Sequence, residues 1–141
     1  MKVLTILMVL LPQSLGNFYF DGDVVSSKEV SHDNIWNQIV TLTIYKPTSA
    51  ETDSTPNITA SGFKIDTINP TKHKIIAVSR DLKKKGWSFG RKVKIKNAGK
   101  YNGVYTIRDV MNKRHKNRVD VLVGENHSPV RMENVEIMLI D

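Results

Sequence analysis

Apolar and polar residues alternate with period two in one clear stretch of this chain, and further short runs rich in β-branched residues divide the rest into extended segments. In Val40-Thr41-Leu42-Thr43-Ile44-Tyr45 the apolar side chains Val40, Leu42 and Ile44 share one face. Such alternation, rich in β-branched residues, predicts a half-buried strand. Further strand-like runs cover residues 74–79, 91–96, 104–108, 118–123 and 135–140, the last led in by Pro129-Val130-Arg131-Met132. Residues 58–62 restart extended structure and end at Gly62, and 81–85 read as a short helical turn. Residues 46–57 carry Pro47, Pro56, Thr48, Ser49, Asp53 and Ser54 and predict a long loop. Gly99 and Gly103 mark a turn over 97–103, and 111–117 is polar and basic without a period. Six or seven short strands, little helix and no internal repeat predict an all-β barrel or sandwich. Full closure would also protect the strand edges.

The first residues follow a different rule. Met1-Lys2, an apolar run from Val3 to Leu11 and then Pro12-Gln13-Ser14-Leu15-Gly16 have the order of a secretory leader, with cleavage after Gly16. That run is far shorter than the roughly 20 residues of a membrane span. The expected organisation is therefore a signal peptide over 1–16, a polar extension or linker over 17–38 and one domain over 39–141, with the product secreted or held in the cell envelope. The chain has 141 residues, enough for one core and too few for two. It has no cysteine, so an exported domain would be held by its core alone.

Charge narrows the partners. The net charge is +7, and much of the excess lies in Lys83-Lys84-Lys85, Arg91-Lys92, Lys94, Lys96 and the run from Lys113 to Arg118. A basic surface favours polyanions, among them nucleic acid, anionic lipid and anionic wall polymers. Few aromatic residues interleave with the basic runs and no helix-turn-helix or RNP-like pattern occurs, so no nucleic-acid partner is expected. Lys83–Lys85 read as a solvated loop, and Lys92, Lys94 and Lys96 as a solvated strand face. His32, His73, His115 and His127 lack metal-ligand spacing, so neither metal nor cofactor is expected and each histidine reads as a surface or turn residue. Ser61 beside Gly62 lacks the context of a nucleophile elbow. Tyr45, Trp87 and Tyr101 are candidates either for stacking on sugar rings or for the core.

Three aspartates carry the candidate chemistry. Asp81 follows Ile75-Ile76-Ala77-Val78-Ser79-Arg80, Asp109 follows Val104-Tyr105-Thr106-Ile107-Arg108, and Asp120 lies within Arg118-Val119-Asp120-Val121-Leu122. Aspartate is depleted in strands because its short side chain competes for backbone hydrogen bonds. Three beside apolar strands predict a carboxylate cluster, which is equipment for acid–base work on glycosidic bonds. A proton donor among them needs a raised pKa, which burial or neighbouring carboxylates supply. The plainer alternative is that they satisfy turns and strand ends.

Read in order, these segments resemble the three-aspartate (3D) domain of the double-psi β-barrel family. The resemblance rests on Thr41–Tyr45, Ile58–Gly62, Ile76–Asp81, Trp87–Val93, Gly103–Asp109, Lys116–Val121 and Arg131–Ile137, and spans about residues 39–140. It implies a six-stranded double-psi barrel with a short helical turn. It also implies kinship with membrane-bound lytic transglycosylase A, rare lipoprotein A-like proteins and, more distantly, expansins, all acting on wall glycans. Carried over by position, Asp120, in its Asn-Arg-x-Asp context with Arg118, would be the acid/base. Asp109 would tune it and help hold the sugar, and Asp81 would orient a loop. Tyr45, Thr59, Ser61 and Arg118 would lie with the substrate. The implied activity is cleavage of the MurNAc–GlcNAc bond of peptidoglycan by a monomer; an expansin-like wall-binding module is the alternative. The family's Thr-Gly-Gly-x-Ile-Lys-Gly stretch is here Val110-Met111-Asn112-Lys113-Arg114-His115-Lys116, without glycine, which implies a reshaped groove floor.

Overall fold

The computed structural model describes residues 36–48 and 54–141. The expected signal peptide and nearly all of the expected extension therefore lie outside the described residues. Six strands form a closed barrel: β1 (Asn37–Tyr45), β2 (Ile75–Val78), β3 (Lys92–Lys96), β4 (Gly103–Val110), β5 (Arg118–Leu122) and β6 (Arg131–Leu139). One short helix, α1 (Arg80–Lys84), follows β2. Around the barrel the order is β1-β5-β2-β4-β3-β6. The pairs β1/β5 and β2/β4 are parallel, and the other four are antiparallel. Among the described residues no helix is long and apolar enough to cross a membrane.

Alternation decides what each strand puts inside. Val40 and Leu42 of β1, Ile76 and Val78 of β2, Val93 and Ile95 of β3, Tyr105 and Ile107 of β4, Val119 and Val121 of β5, and Val135 and Ile137 of β6 join one buried interior cluster. Leu82, Trp87, Ala98 and Tyr101 enter it from the connecting segments. Burial of each large aliphatic side chain contributes about 1.5–3 kcal/mol relative to exposure. Trp87 is 0% exposed and Tyr101 7%, so both are core and neither is free to stack on a sugar.

Two irregularities correct the simple strand pattern. Between Val40↔Val135 and Leu42↔Met132, one residue of β1 faces two of β6, a bulge whose Asn134 takes a φ of 57°. Asparagine tolerates that left-handed conformation because its short side chain bonds locally. The second irregularity lies between Ile76↔Ile107 and Ala77↔Asp109, where Arg108 is an extra residue on β4. A bulge reverses the side-chain parity of everything beyond it. Residues 105, 107 and 109 would otherwise share the interior face. With Arg108 inserted, Asp109 lies opposite Ala77 and so on the outside of the barrel.

The outside of β1, β2 and β5 carries a second buried cluster of Tyr45, Ile75, Ala77 and Leu122 with Ile65 and Met111, and Phe63 packs against it. The expected extended segment 58–62 is in fact a turn: only Ile58 pairs, with Lys64, in a single antiparallel bridge. Its polar backbone is anchored instead on the β4 bulge. The Ser61 N–H donates to the Arg108 carbonyl (3.1 Å), and the Thr59 N–H to the Phe63 carbonyl (2.9 Å).

Candidate active site

Ala77, in the middle of β2, lies opposite Asp109 on β4 and opposite Asp120 on β5. The two aspartates thus stand on one face, two strand spacings or about 9.5 Å apart at the backbone. A methyl group is all that separates them laterally. They line a cavity of about 650 Å³ together with Tyr45, Ala60, Met111, Asn112, Arg80, Arg114 and His115.

Asp109 is held by three donors. The Ala60 N–H (3.0 Å) and the Val110 N–H (2.9 Å) reach its Oδ1, and the Tyr45 hydroxyl reaches Oδ2 (3.2 Å). Tyr45 itself is 6% exposed. Burial, then the adjacent Asp109 charge and hydrogen bond and the nearby Asp120 charge, push its hydroxyl far above the ordinary tyrosine range. A neutral phenol is therefore a fixed donor on the cavity wall. Asp120 has its Oδ1 buried, and its strand neighbours Val119 and Val121 point into the core.

Thr59 and Ser61 flank Ala60 in the turn that grips Asp109. Their hydroxyls lie 3.0 Å apart, and Thr59 Oγ1 also accepts from the Phe63 N–H (3.1 Å). They shape the turn and are not among the residues lining the cavity. Asp81 is likewise not a lining residue. It sits in the first turn of α1, and its Oδ2 accepts from the Asn117 N–H (2.9 Å). Burial works against its charged form, yet the Ser79 hydroxyl and the N–H groups of Asn117, Asp81 and Leu82 outweigh it and hold the carboxyl below its usual range. The three aspartates thus divide into a facing pair and one tie.

That tie holds the β4–β5 connection. β4 and β5 both flank β2, so residues 111–117 must pass across the end of β2. The Met111 N–H donates to the Val78 carbonyl (2.9 Å), and the Ser79 N–H to the Arg118 carbonyl (2.9 Å). Asn117, at φ 47°, turns the chain and donates its side-chain amide to the Ile39 carbonyl (2.8 Å). This crossing brings Asn112, Arg114 and His115 into the lining of the cavity, to which Arg80, the first residue of α1, also belongs.

Sequence reasoning reached residues 110–116 only as a reshaped groove floor and gave none of those four residues a role in the site; His115, a lining residue, corrects the expectation of a surface or turn role. The signal was positional: a short basic connection lies directly between the two strands bearing Asp109 and Asp120. Arg118, expected at the substrate, directs its Nη1 to His115 Nδ1 (2.9 Å), and Arg114 Nε lies 3.2 Å from His115 Nε2. Burial, then the charges of Arg118 and Arg114, lower the His115 pKa. The remaining described histidines are structural: His73 Nε2 accepts from the Asp66 N–H (3.0 Å), and His127 lies 3.1 Å from the Gly124 carbonyl. Among the described residues no three His, Cys, Asp or Glu side chains form a group suited to a metal ion. Compared with family models, curated proteins and solved structures, the chain gives no match.

Proposed function

We propose that this chain is an exported enzyme that cleaves the glycan strands of peptidoglycan as a lytic transglycosylase at MurNAc–GlcNAc bonds. The observation that carries the reading is the pair Asp109 and Asp120, facing one cavity from either side of Ala77. In this reading Asp120 donates a proton to the leaving glycosidic oxygen. It then takes one from the 6-hydroxyl of the same MurNAc as that oxygen closes on C1, so no water is consumed and a 1,6-anhydro sugar results. Asp109, held by Tyr45, Ala60 and Val110, is the fixed carboxylate that faces the positive charge developing at C1. Asp81 acts at one remove, holding the β4–β5 connection through Asn117. A positioned acid/base contributes typically 10²–10⁴-fold to rate.

The barrel type belongs to the same proposal. β5 lies between the antiparallel neighbours-in-sequence β1 and β2, and β2 lies between β4 and β5. Two interleaved arrangements of this kind support a double-psi connectivity, and the leader-like residues 1–16 support export.

The test is digestion of purified peptidoglycan sacculi, with products read by mass spectrometry beside Asp120→Asn. Anhydro-muropeptides that fall at least about 100-fold in the variant are expected. Products one water heavier would indicate a hydrolase. Salt-sensitive binding without release would leave a wall-binding module, a reading that the exposed cations Arg80 and Arg114 favour.

A further inference from the structure

We infer that the rim of the cavity is a subsite for a carboxylate on the substrate, contacted by Arg80 and Arg114 and braced by His115. The inference rests on the glycan-cleaving reading of the same cavity. Asp109 and Asp120 come from β4 and β5, whereas Arg80 begins α1 and Arg114 lies on the β4–β5 connection. Acidic and basic side chains thus reach one cavity from different elements. Among the described residues, the ion pairs within 4 Å are Lys72–Asp66, Arg91–Asp141 and Arg131–Glu133, and none involves Arg80 or Arg114.

The rim also has more donors than acceptors. Arginine offers only donors, and a neutral imidazole has one lone pair on its ring nitrogens. His115 faces Arg114 at one nitrogen and Arg118 at the other, so any one tautomer accepts from one guanidinium and turns its N–H toward the second. Arg118 Nε is buried without an acceptor, although the Arg118 charge also acts on Glu133. A planar carboxylate supplies two acceptor oxygens and the missing negative charge, and matches the guanidinium fork. The same anion is repelled by the Asp109 carboxylate on the cavity wall. It therefore orients the glycan, with its charged substituent at the rim and the scissile bond over Asp120. A neutral glycan has hydroxyls for the rim but no charge to be sorted in this way.

The test uses the full chain carrying Asp120→Asn and titration calorimetry at low salt. The probes are the disaccharide of N-acetylglucosamine and N-acetylmuramic acid, and its methyl ester. The acid should bind at least about 10-fold more tightly than the ester. Adding Arg114→Gln should bring the two within about twofold, while Arg114→Lys should keep part of the difference. An unchanged thermal midpoint in each variant shows that the fold is retained. Equal binding of acid and ester, an equal loss of both in Arg114→Gln, or no binding at millimolar ligand would each overturn the inference. Displacement of the acid by glycerol phosphate at equal or lower concentration would overturn the carboxylate assignment in favour of phosphate. Discrimination of acid from ester without glycan release by the unsubstituted chain would refute cleavage and keep the subsite. Release without discrimination would do the reverse.

Discussion

Tyr45→Phe removes one hydroxyl from the cavity wall and nothing else, so its consequences can be worked out in advance. At neutral pH the lost contact is the bond from Tyr45 to Asp109 Oδ2 at 3.2 Å. Hydrogen bonds to charged groups contribute about 1.5–3 kcal/mol, and the long distance places this one near the lower end, about 1.5 kcal/mol. For a folded unit of roughly 100 residues the unfolding entropy is about 0.2 kcal/mol/K, so the midpoint should drop by about 7 °C.

Alkaline pH should erase the difference. The Tyr45 hydroxyl is raised above its ordinary value of 10.0 in the folded protein. The native state therefore keeps a proton that the unfolded state releases. Stability from this group is complete below about pH 10 and declines as pH rises above it, by about 1.4 kcal/mol at pH 11. The variant lacks this decline, so the two proteins should become nearly equal in stability at pH 11. Urea unfolding from pH 7 to 11 measures the difference, in which the contributions of the other tyrosines and the lysines cancel. Parallel declines, with the gap constant, would refute the buried, Asp109-bound phenol. So would an extra phenolate band titrating near pH 10 in the folded parent protein.

Three further substitutions probe the rest of the architecture. Trp87→Ala, at a fully buried position, should cost about 3–5 kcal/mol in denaturant unfolding; a loss below about 1 kcal/mol would mean that Trp87 is not core. Asp81→Asn should flatten the acid limb of stability. The folded Asp81 pKa lies below its ordinary 3.8, so its contribution is present above that value and lost as pH falls through the lower folded one; identical acid limbs in parent and variant would refute the tie to Asn117. Ala77→Leu should fill the space between Asp109 and Asp120, weakening glycan binding at least about 10-fold for a stability cost of about 1–3 kcal/mol. Unchanged binding would place the ligand elsewhere.

The strands were legible in the sequence wherever the barrel wall has a wet and a dry side. The alternation in β1, β3 and β5 records that difference residue by residue, and the core members Val40, Leu42, Val93, Ile95, Val119 and Val121 follow from it. The pairing of Asp109 with Asp120 was partly legible, because carboxylates beside apolar strands need a reason to be there. The face that Asp109 occupies was not legible. Period two sends it inward with Tyr105 and Ile107, and only the extra residue Arg108, seen in the pairing with β2, turns it out. A bulge is a relation between two strands and leaves no mark in either one alone.

The same holds for the rim. The part that Arg114 and His115 play in the cavity was not legible, because charge and polarity are local properties, while their position depends on which strands neighbour β2. Strands 4 and 5 enclose strand 2 only when the barrel closes, and closure drags their connection across the cavity mouth. Local composition thus determined the strands, the core and the kinds of chemical group available. Long-range pairing alone decided which of those groups face one another, since register and strand order are set by contacts between residues far apart in the chain.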